Sequence, residues 1–245
     1  MNSKKKPLGR KNYGSIPHLP NSRIGPGDHK CHEGQEKIAT IKARDKHDEI
    51  IVQEKLDGSN VGVVRIGDAI IPIGRSGYTA ASSPYLQHHL FSDWAYTKTE
   101  RFMSVLKDGE RLVGEWLAQA HSTIYDLPHE PFVVFDLMID EHRLIYDDFI
   151  SRISRDFVFP YLIHRGDPLS VKSAMEMLGP HGCHGAVDLV EGIVYRVERN
   201  KLIDRHSGNR KRIVDFLVKW VRPDKMDGIY LESVSGGEPV WNWRG

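Results

Sequence analysis

A chain of 245 residues, 40% of them hydrophobic, can bury a core without disulfides or metals, and it fits one catalytic domain with short appendages. Two cysteines, Cys31 and Cys183, exclude a disulfide framework and favour a reducing compartment. No 18 apolar residues run together and the N-terminal lysines lead into no apolar segment, so a soluble, cytoplasmic protein without a membrane partner is expected.

The formal net charge of +1 conceals two basic runs. Lys4, Lys5, Lys6, Arg10, Lys11, Arg23 and Lys30 stand against only Asp28 in the first 30 residues. Arg196, Arg199, Lys201, Arg205, Arg210, Lys211 and Arg212 stand against Glu198 and Asp204. Each run is a candidate for meeting phosphates, which dominate affinity for any nucleic acid.

In chain order, residues 1–35 are rich in Pro, Gly and Lys without a period and read as a basic N-terminal arm, extended on the domain or disordered. Residues 36–225 read as the folded domain and 226–245 as a short C-terminal tail. A short amphipathic piece over Lys37–Arg44 precedes strands at Ile50–Glu54, Asn60–Ile66 and Ala69–Ile73, with Gly67-Asp68 as a turn. Leu86, Leu90, Trp94, Phe102 and Leu106 give Tyr85–Leu106 a helical spacing, while Arg111–Ala118 and Pro131–Ile139 are apolar and strand-like. Helices are expected at Asp147–Phe157 and Ser170–Leu178, and strands at Val187–Val197, Lys201–His206 and Ile213–Val221. Strands and helices come in blocks rather than βαβ repeats, which predicts a largely antiparallel α+β architecture.

The chemistry is concentrated where Ile51-Val-Gln-Glu-Lys55-Leu-Asp-Gly58-Ser-Asn60 puts a lysine at a strand end, before a tight Asp-Gly turn and a new strand. K-x-D-G alone arises in about one chain of this length in twenty. Further segments follow it in order: Gly74-Arg75-Ser-Gly77, Gly114-Glu115-Trp116, Phe132-Val-Val-Phe135-Asp136, Val190-Glu191-Gly-Ile-Val194 and Leu217-Val-Lys219-Trp-Val-Arg222. Together they resemble motifs I, Ia, III, IIIa, IV and V of the covalent nucleotidyltransferases, which include ATP-dependent ligases and mRNA capping enzymes. Asn60, Gly114-Glu-Trp116 and the Lys-Trp-Val-Arg-Pro ending are most similar to the RNA ligase branch that seals nicks in RNA duplexes. The resemblance spans about Ile50 to Arg222.

It implies a nucleotidyltransferase domain of ATP-grasp-like kind, with mainly antiparallel sheets flanked by helices. It further implies an ATP-dependent RNA ligase in which Lys55 attacks the α-phosphate of ATP, becomes lysyl-AMP, and passes AMP to a 5'-phosphate that a 3'-hydroxyl then attacks. Lys55, Glu191 and Lys219 carry the catalytic roles. ATP or AMP is held by Gln53 and Glu54 at the adenine edge, Asn60, Arg75, Glu115 at the ribose, Phe135 by stacking, Lys219 and Arg222. Glu191 suits a hard ion, Mg²⁺ or Mn²⁺. Only a neutral amine is nucleophilic, so Lys55 needs its pKa brought down from about 10.4, which Mg²⁺, Arg75 and Lys219 can do electrostatically.

Two departures qualify the pattern. The last motif often carries a second lysine where this chain has Val221, and Arg222 or Lys225 stands in for it. Only 23 residues follow Arg222, too few for an oligonucleotide-binding barrel or helical C-terminal domain, so the basic arm or a partner protein is expected to take that domain's place on nicked duplex or broken RNA ends. DNA nick sealing and guanylyl transfer are the sister readings, and an inactive nucleic-acid-binding module is the reading from another class. His29-Lys-Cys31-His32 and His181-Gly-Cys183-His184 would offer zinc two sulfurs and two nitrogens if the fold gathered them.

Overall fold

The computed structural model describes residues 6–203 and 208–244. Its elements run α1 (Glu33–Thr40), β1 (Asp48–Lys55), β2 (Ser59–Ile66), β3 (Ala69–Gly74), α2 (Leu86–Thr97), α3 (Thr99–Val105), β4 (Glu110–Trp116), β5 (Phe132–Ile139), β6 (His142–Arg143), α4 (Tyr146–Ile153), β7 (Leu162–Gly166), α5 (Val171–Leu178), β8 (Gly192–Leu202), β9 (Arg210–Val221) and α6 (Glu232–Ser235). Every strand pair within the two sheets is antiparallel, and the class is α+β as the block pattern implied. None of the described helices is long and apolar enough to cross a membrane.

Residues divide into two units, 6–14 with 57–159 and 228–244 in one, 15–56 with 160–227 in the other. The first holds the five-stranded sheet β3-β2-β4-β5-β6. Its turn at Gly67, with φ +57°, lets β2 fold straight back into β3. The alternation of β2 and β4 sends Val61, Val63, Leu112 and Trp116 to one face, where α2, α3 and α4 bury Phe91, Trp94, Phe102, Phe149 and Ile153 against them. Aromatic rings meet edge-on or tilted there, Phe91 to Trp116 at 5.3 Å and Phe102 to Phe157 at 5.0 Å between centroids. Each such side chain contributes about 1.5–3 kcal/mol by burial, which makes this face the stable platform of the unit. The stretch Tyr85–Leu106 is two helices, because Lys98 leaves helical geometry at φ −111°, ψ 20°.

The opposite face of that sheet is covered by the chain's own beginning. Asn12 donates its N–H to the Arg75 carbonyl at 3.1 Å, and its side chain lies where a Cβ on Gly62 would sit 2.7 Å away. The Tyr13 hydroxyl donates to Asp136 Oδ2 at 2.5 Å, and Arg143 Nε donates to the same oxygen at 3.0 Å. Lys6 lies over the Tyr78 ring and Arg10 pairs with Asp140, so these basic residues have partners within the unit; Lys4 and Lys5 lie outside the described residues.

The second unit holds the sheet β7-β1-β8-β9 with α1 and α5. β1 is buried along Ile50–Glu54, as a central strand covered on both faces must be. The strand expected from Val187 begins only at Gly192, because the Val190 N–H is spent on the Pro180 carbonyl. The strand expected at Lys201–His206 is instead the end of β8 through Leu202; residues 204–207 lie outside the described part. The sheet also corrects the reading of the second basic run. Arg196 and Arg212 both meet Glu198, at 2.9 and 2.8 Å, and Arg199 meets Asp45 and Asp48 at 2.7 Å, so these three guanidinium groups neutralise the sheet's own carboxylates rather than presenting to phosphate.

Replacing Tyr13 by Phe removes the hydroxyl from a carboxylate that is 1% exposed. Tyr13→Phe is expected to lower the unfolding free energy by about 1–3 kcal/mol, read from urea unfolding, if the first residues are part of the folded unit. An unchanged midpoint would mean that they are not.

Candidate active site

Strand register builds the first group of side chains. β1 pairs with β8 so that Lys55 faces Gly192 and Gln53 faces Val194, and β8 pairs with β9 so that these face Val221 and Lys219. Residues directly opposed across a sheet point to the same side. Gln53, Lys55, Lys219 and Val221 therefore share one face, and Glu54 and Trp220 point to the other.

Glu191, one residue before β8, lands beside the end of β1. Its Oε2 accepts from Lys55 Nζ at 2.5 Å and its Oε1 from Lys225 Nζ at 2.8 Å. Burial would raise this carboxyl's pKa, but the two ammonium groups outweigh it and bring it down to about 2. Lys225 is itself 5% exposed, so a carboxylate and two cations are drawn out of water together. Arg222 goes elsewhere: its Nε donates to the Val190 carbonyl at 3.0 Å and its guanidinium pairs with Asp224 at 2.6 Å. Of the two substitutes offered for the absent motif lysine, Lys225 is the one that reaches Glu191. Lys219 Nζ lies 3.6 Å from Asp28 Oδ1.

Gln53 Nε2 donates to the Pro160 carbonyl at 3.3 Å. Glu54 is 2% exposed on the opposite face, where Oε2 accepts the Cys183 N–H at 3.0 Å and Oε1 is buried with no hydrogen-bond partner among the described residues. Gly182, at φ +58°, is the residue that lets the chain come this close, since a Cβ there would stand 2.1 Å from Oε1. Burial pushes the Glu54 carboxyl up to about 7. The two His-x-Cys-His segments are not gathered around one point: both thiols are free, and among the described residues no group of three or more His, Cys, Asp or Glu side chains is placed to hold a metal ion.

The remaining residues belong to the other unit. Asn60 on β2 stands opposite Glu115 on β4. Glu115 Oε1 accepts the Gly58 N–H at 3.1 Å, and Asn60 Oδ1 is buried with no hydrogen-bond partner among the described residues. Asp57 fixes the turn between the strands, its Oδ2 accepting from the Ser122 N–H at 2.7 Å while its own N–H donates to the Tyr125 hydroxyl at 3.0 Å. Phe135 is the extra residue where the β4–β5 register shifts, and it stays outside the aromatic core, edge-on to Tyr13 at 5.2 Å. A bulge re-aims a side chain in this way. Arg75 is exposed just after β3.

A family model described as RNA ligase matches residues 48–221. The chain belongs to the RNA ligase family. The matched segment runs from the first residue of β1 to the last of β9; it includes Gln53, Glu54, Lys55, Asn60, Arg75, Glu115, Phe135, Glu191 and Lys219, and it ends before Arg222 and Lys225. No curated protein matches the chain. Among solved structures it is similar to a Naegleria gruberi RNA ligase mutant with ATP and Mn, at TM-score 0.50 and 17% identity over 95% of this chain and 64% of that one. It is also similar to a second mutant of that ligase with AMP and Mn, at TM-score 0.51 and 15% identity over 84% of this chain and 59% of that one. At these identities the likeness is one of fold, and this chain spans roughly six-tenths of the length of those relatives.

Glu54 supplies a test of the buried-carboxyl geometry. Its folded pKa, about 7, lies above the ordinary 4.5, so the group's contribution is fully present below pH 4.5 and is lost as pH rises to 7. Glu54→Gln cannot ionise. Across that window the wild type is expected to lose on the order of 3 kcal/mol relative to the variant, as read from chemical unfolding at each pH; parallel pH profiles would refute the assignment.

Proposed function

We propose that the chain is an ATP-dependent RNA ligase that adenylylates itself on Lys55, passes AMP to an RNA 5'-phosphate, and joins that end to a 3'-hydroxyl in nicked duplex or broken RNA. The observation that carries this reading is the Lys55 amine at a strand end, held on a buried Glu191 carboxylate, in a chain of the RNA ligase family. An amine so placed is confined to one direction of approach, and confinement of a nucleophile supplies much of the rate in phosphoryl transfer.

In the first step the Lys55 ammonium, hydrogen-bonded to Glu191 Oε2, gives one proton to solvent, the neutral nitrogen bonds to the α-phosphorus of ATP, and a second proton leaves it to solvent as the phosphorus–nitrogen bond forms. The bond from that phosphorus to the bridging oxygen breaks, and pyrophosphate carries the electron pair away. Lys219 and Lys225 offset the charge that builds on the phosphate, which is where electrostatic preorganisation contributes most. Gln53, sharing the Lys55 face, reads the adenine edge; Glu54 supports that strand from the other face. Glu115 takes the ribose hydroxyl, Asn60 and Arg75 the sugar-phosphate, and Phe135 stacks on the base. Arg222, bonded to the Val190 carbonyl, holds Glu191 in place rather than touching ATP.

A hard ion, Mg²⁺ or Mn²⁺, fits the donor set: Glu191 offers carboxylate oxygen, and ions of this kind are commonly bound through one or two carboxylates plus substrate phosphates. Such an ion supplies Lewis-acid polarisation of the phosphate.

Purified protein incubated with α-labelled ATP and Mg²⁺ is expected to carry label through denaturing electrophoresis, and Lys55→Ala is expected to carry none. Label from GTP instead would favour guanylyl transfer, and no label with ATP bound would favour an inactive binding module. Sealing of nicked RNA but not nicked DNA by the labelled protein would decide the strand. Lys225→Met is expected to slow label formation by about 100-fold, the loss typical of one electrostatic donor.

A further inference from the structure

The N-terminal segment 17–31 is built around Lys219. The Lys219 N–H donates to the Pro17 carbonyl at 2.9 Å, and its carbonyl accepts the Leu19 N–H at 2.8 Å, so His18 forms an isolated parallel bridge with Lys219 alongside β9. His18 in turn donates its N–H to the His29 carbonyl at 2.8 Å and accepts the Cys31 N–H at 2.9 Å, which lays residues 29–31 alongside as well. Between the two short pieces the chain reverses at Gly25-Pro26-Gly27-Asp28. The Asp28 N–H returns to the Gly25 carbonyl at 3.1 Å, and Gly27 has φ +80°. Pro then Gly at the two central positions is the sequence of a type II turn, whose third residue needs positive φ. This turn delivers a carboxylate to a chosen place.

That place is Lys219. Asp28 Oδ1 lies 3.6 Å from Lys219 Nζ, and its Oδ2 lies 3.0 Å from His18 Nε2. His18 Nδ1 is 2.7 Å from Ser22 Oγ, and Ser22 Oγ accepts the Val221 N–H at 2.9 Å. His18 is 1% exposed, so the imidazole is a fixed strut and not a surface side chain. Backbone and ammonium of Lys219 are thus both held by one segment that precedes the matched family region. Within the segment Asp28 meets the Lys219 ammonium, while His18 lies near enough to both Lys219 and Lys55 for the charges to interact.

We infer that Asp28, braced by His18 and Ser22, is a positioning residue for Lys219: it holds the lysine's long chain in the orientation in which the ammonium meets the phosphate of ATP. The inference rests on the reading of Lys219 as a phosphate contact. A free lysine side chain loses rotamer entropy when it is fixed, and a carboxylate that restricts it beforehand removes that cost from the transition state. Interactions of this supporting kind change the rate at saturating substrate more than the substrate concentration needed, because they act on where charge develops.

The test is single-turnover formation of labelled lysyl-AMP over a range of ATP concentrations, with melting curves for every variant. Asp28→Asn keeps shape and loses charge. It is expected to lower the maximal rate by about 10–100-fold, the range seen when supporting hydrogen-bond partners are removed, with half-saturating ATP changed less than about threefold. Asp28→Glu, which restores the carboxylate, is expected to recover part of the loss, and His18→Gln to reproduce it in weaker form. Adding Asp28→Asn to Lys219→Ala is expected to cost nothing more. A wild-type maximal rate in folded Asp28→Asn overturns the inference, as does an equal loss in the Lys219→Ala background, which would mark a purely structural role. Wild-type behaviour of Lys219→Ala, or a wild-type protein that takes no label, would instead bring down the underlying reading, and the inference with it.

Discussion

A carboxylate taken out of water must be given cations, and the arrangement of Glu191 follows from that requirement. Its two oxygens are met by Lys55 and Lys225, residues from the end of β1 and from just beyond β9. Removing either partner would strand a buried charge, at a cost of several kcal/mol. The strand register sets two of the three charges side by side: with Lys55 opposite Gly192, Glu191 lies next to the end of β1, and Lys225 reaches it from the turn after β9. Groups set on strand ends are located more precisely than groups on loops.

The other unit solves a different problem. Its aromatic core on one face of the five-stranded sheet leaves the second face free for polar side chains, and the same face receives Asn12 and Tyr13. Asn60 and Glu115 stand side by side there because β2 and β4 are adjacent, although the two residues are 55 apart in the chain by subtraction of their numbers. Phe132 and Val134 before the register shift and Leu137 after it face the core, and Phe135 is the extra residue between them. The register shift beside it turns it out.

Much of this was legible in the sequence. The β1–β2–β3 meander, the turn at Gly67, the apolar β4 and β5, and the helices α4 and α5 follow from period and turn chemistry, because each is a local property. Lys55 and Glu191 were legible as motif residues; their contact is a tertiary fact that no motif states. What was not legible depended on partners distant in the chain. The five-residue β7, Leu162–Gly166, takes only Leu162 and Ile163 from the apolar run 157–163, and its extent shows in its pairing with β1. The basic run from Arg196 looked available to phosphate because nothing local shows that Glu198, Asp45 and Asp48 lie beside it. Asp28 and His18 sat in a stretch read for its lysines and prolines; the Gly-Pro-Gly-Asp turn was the one signal present, and it marks a bend, not the residue the bend is aimed at.

The pairing at Glu191 also makes the pocket sensitive to the progress of the proposed reaction. An amine bonded to phosphorus no longer carries an ammonium charge, so the moment AMP is attached to Lys55 the carboxylate loses one of its two counter-charges and keeps only Lys225. A single covalent event thereby removes one positive charge and adds the negative charge of the phosphate, in a place with little water to screen it. The protein before and after the first step would then present two electrostatically different surfaces to the nucleic acid, and the strand end could distinguish the charged enzyme from the empty one with no movement of the backbone at all.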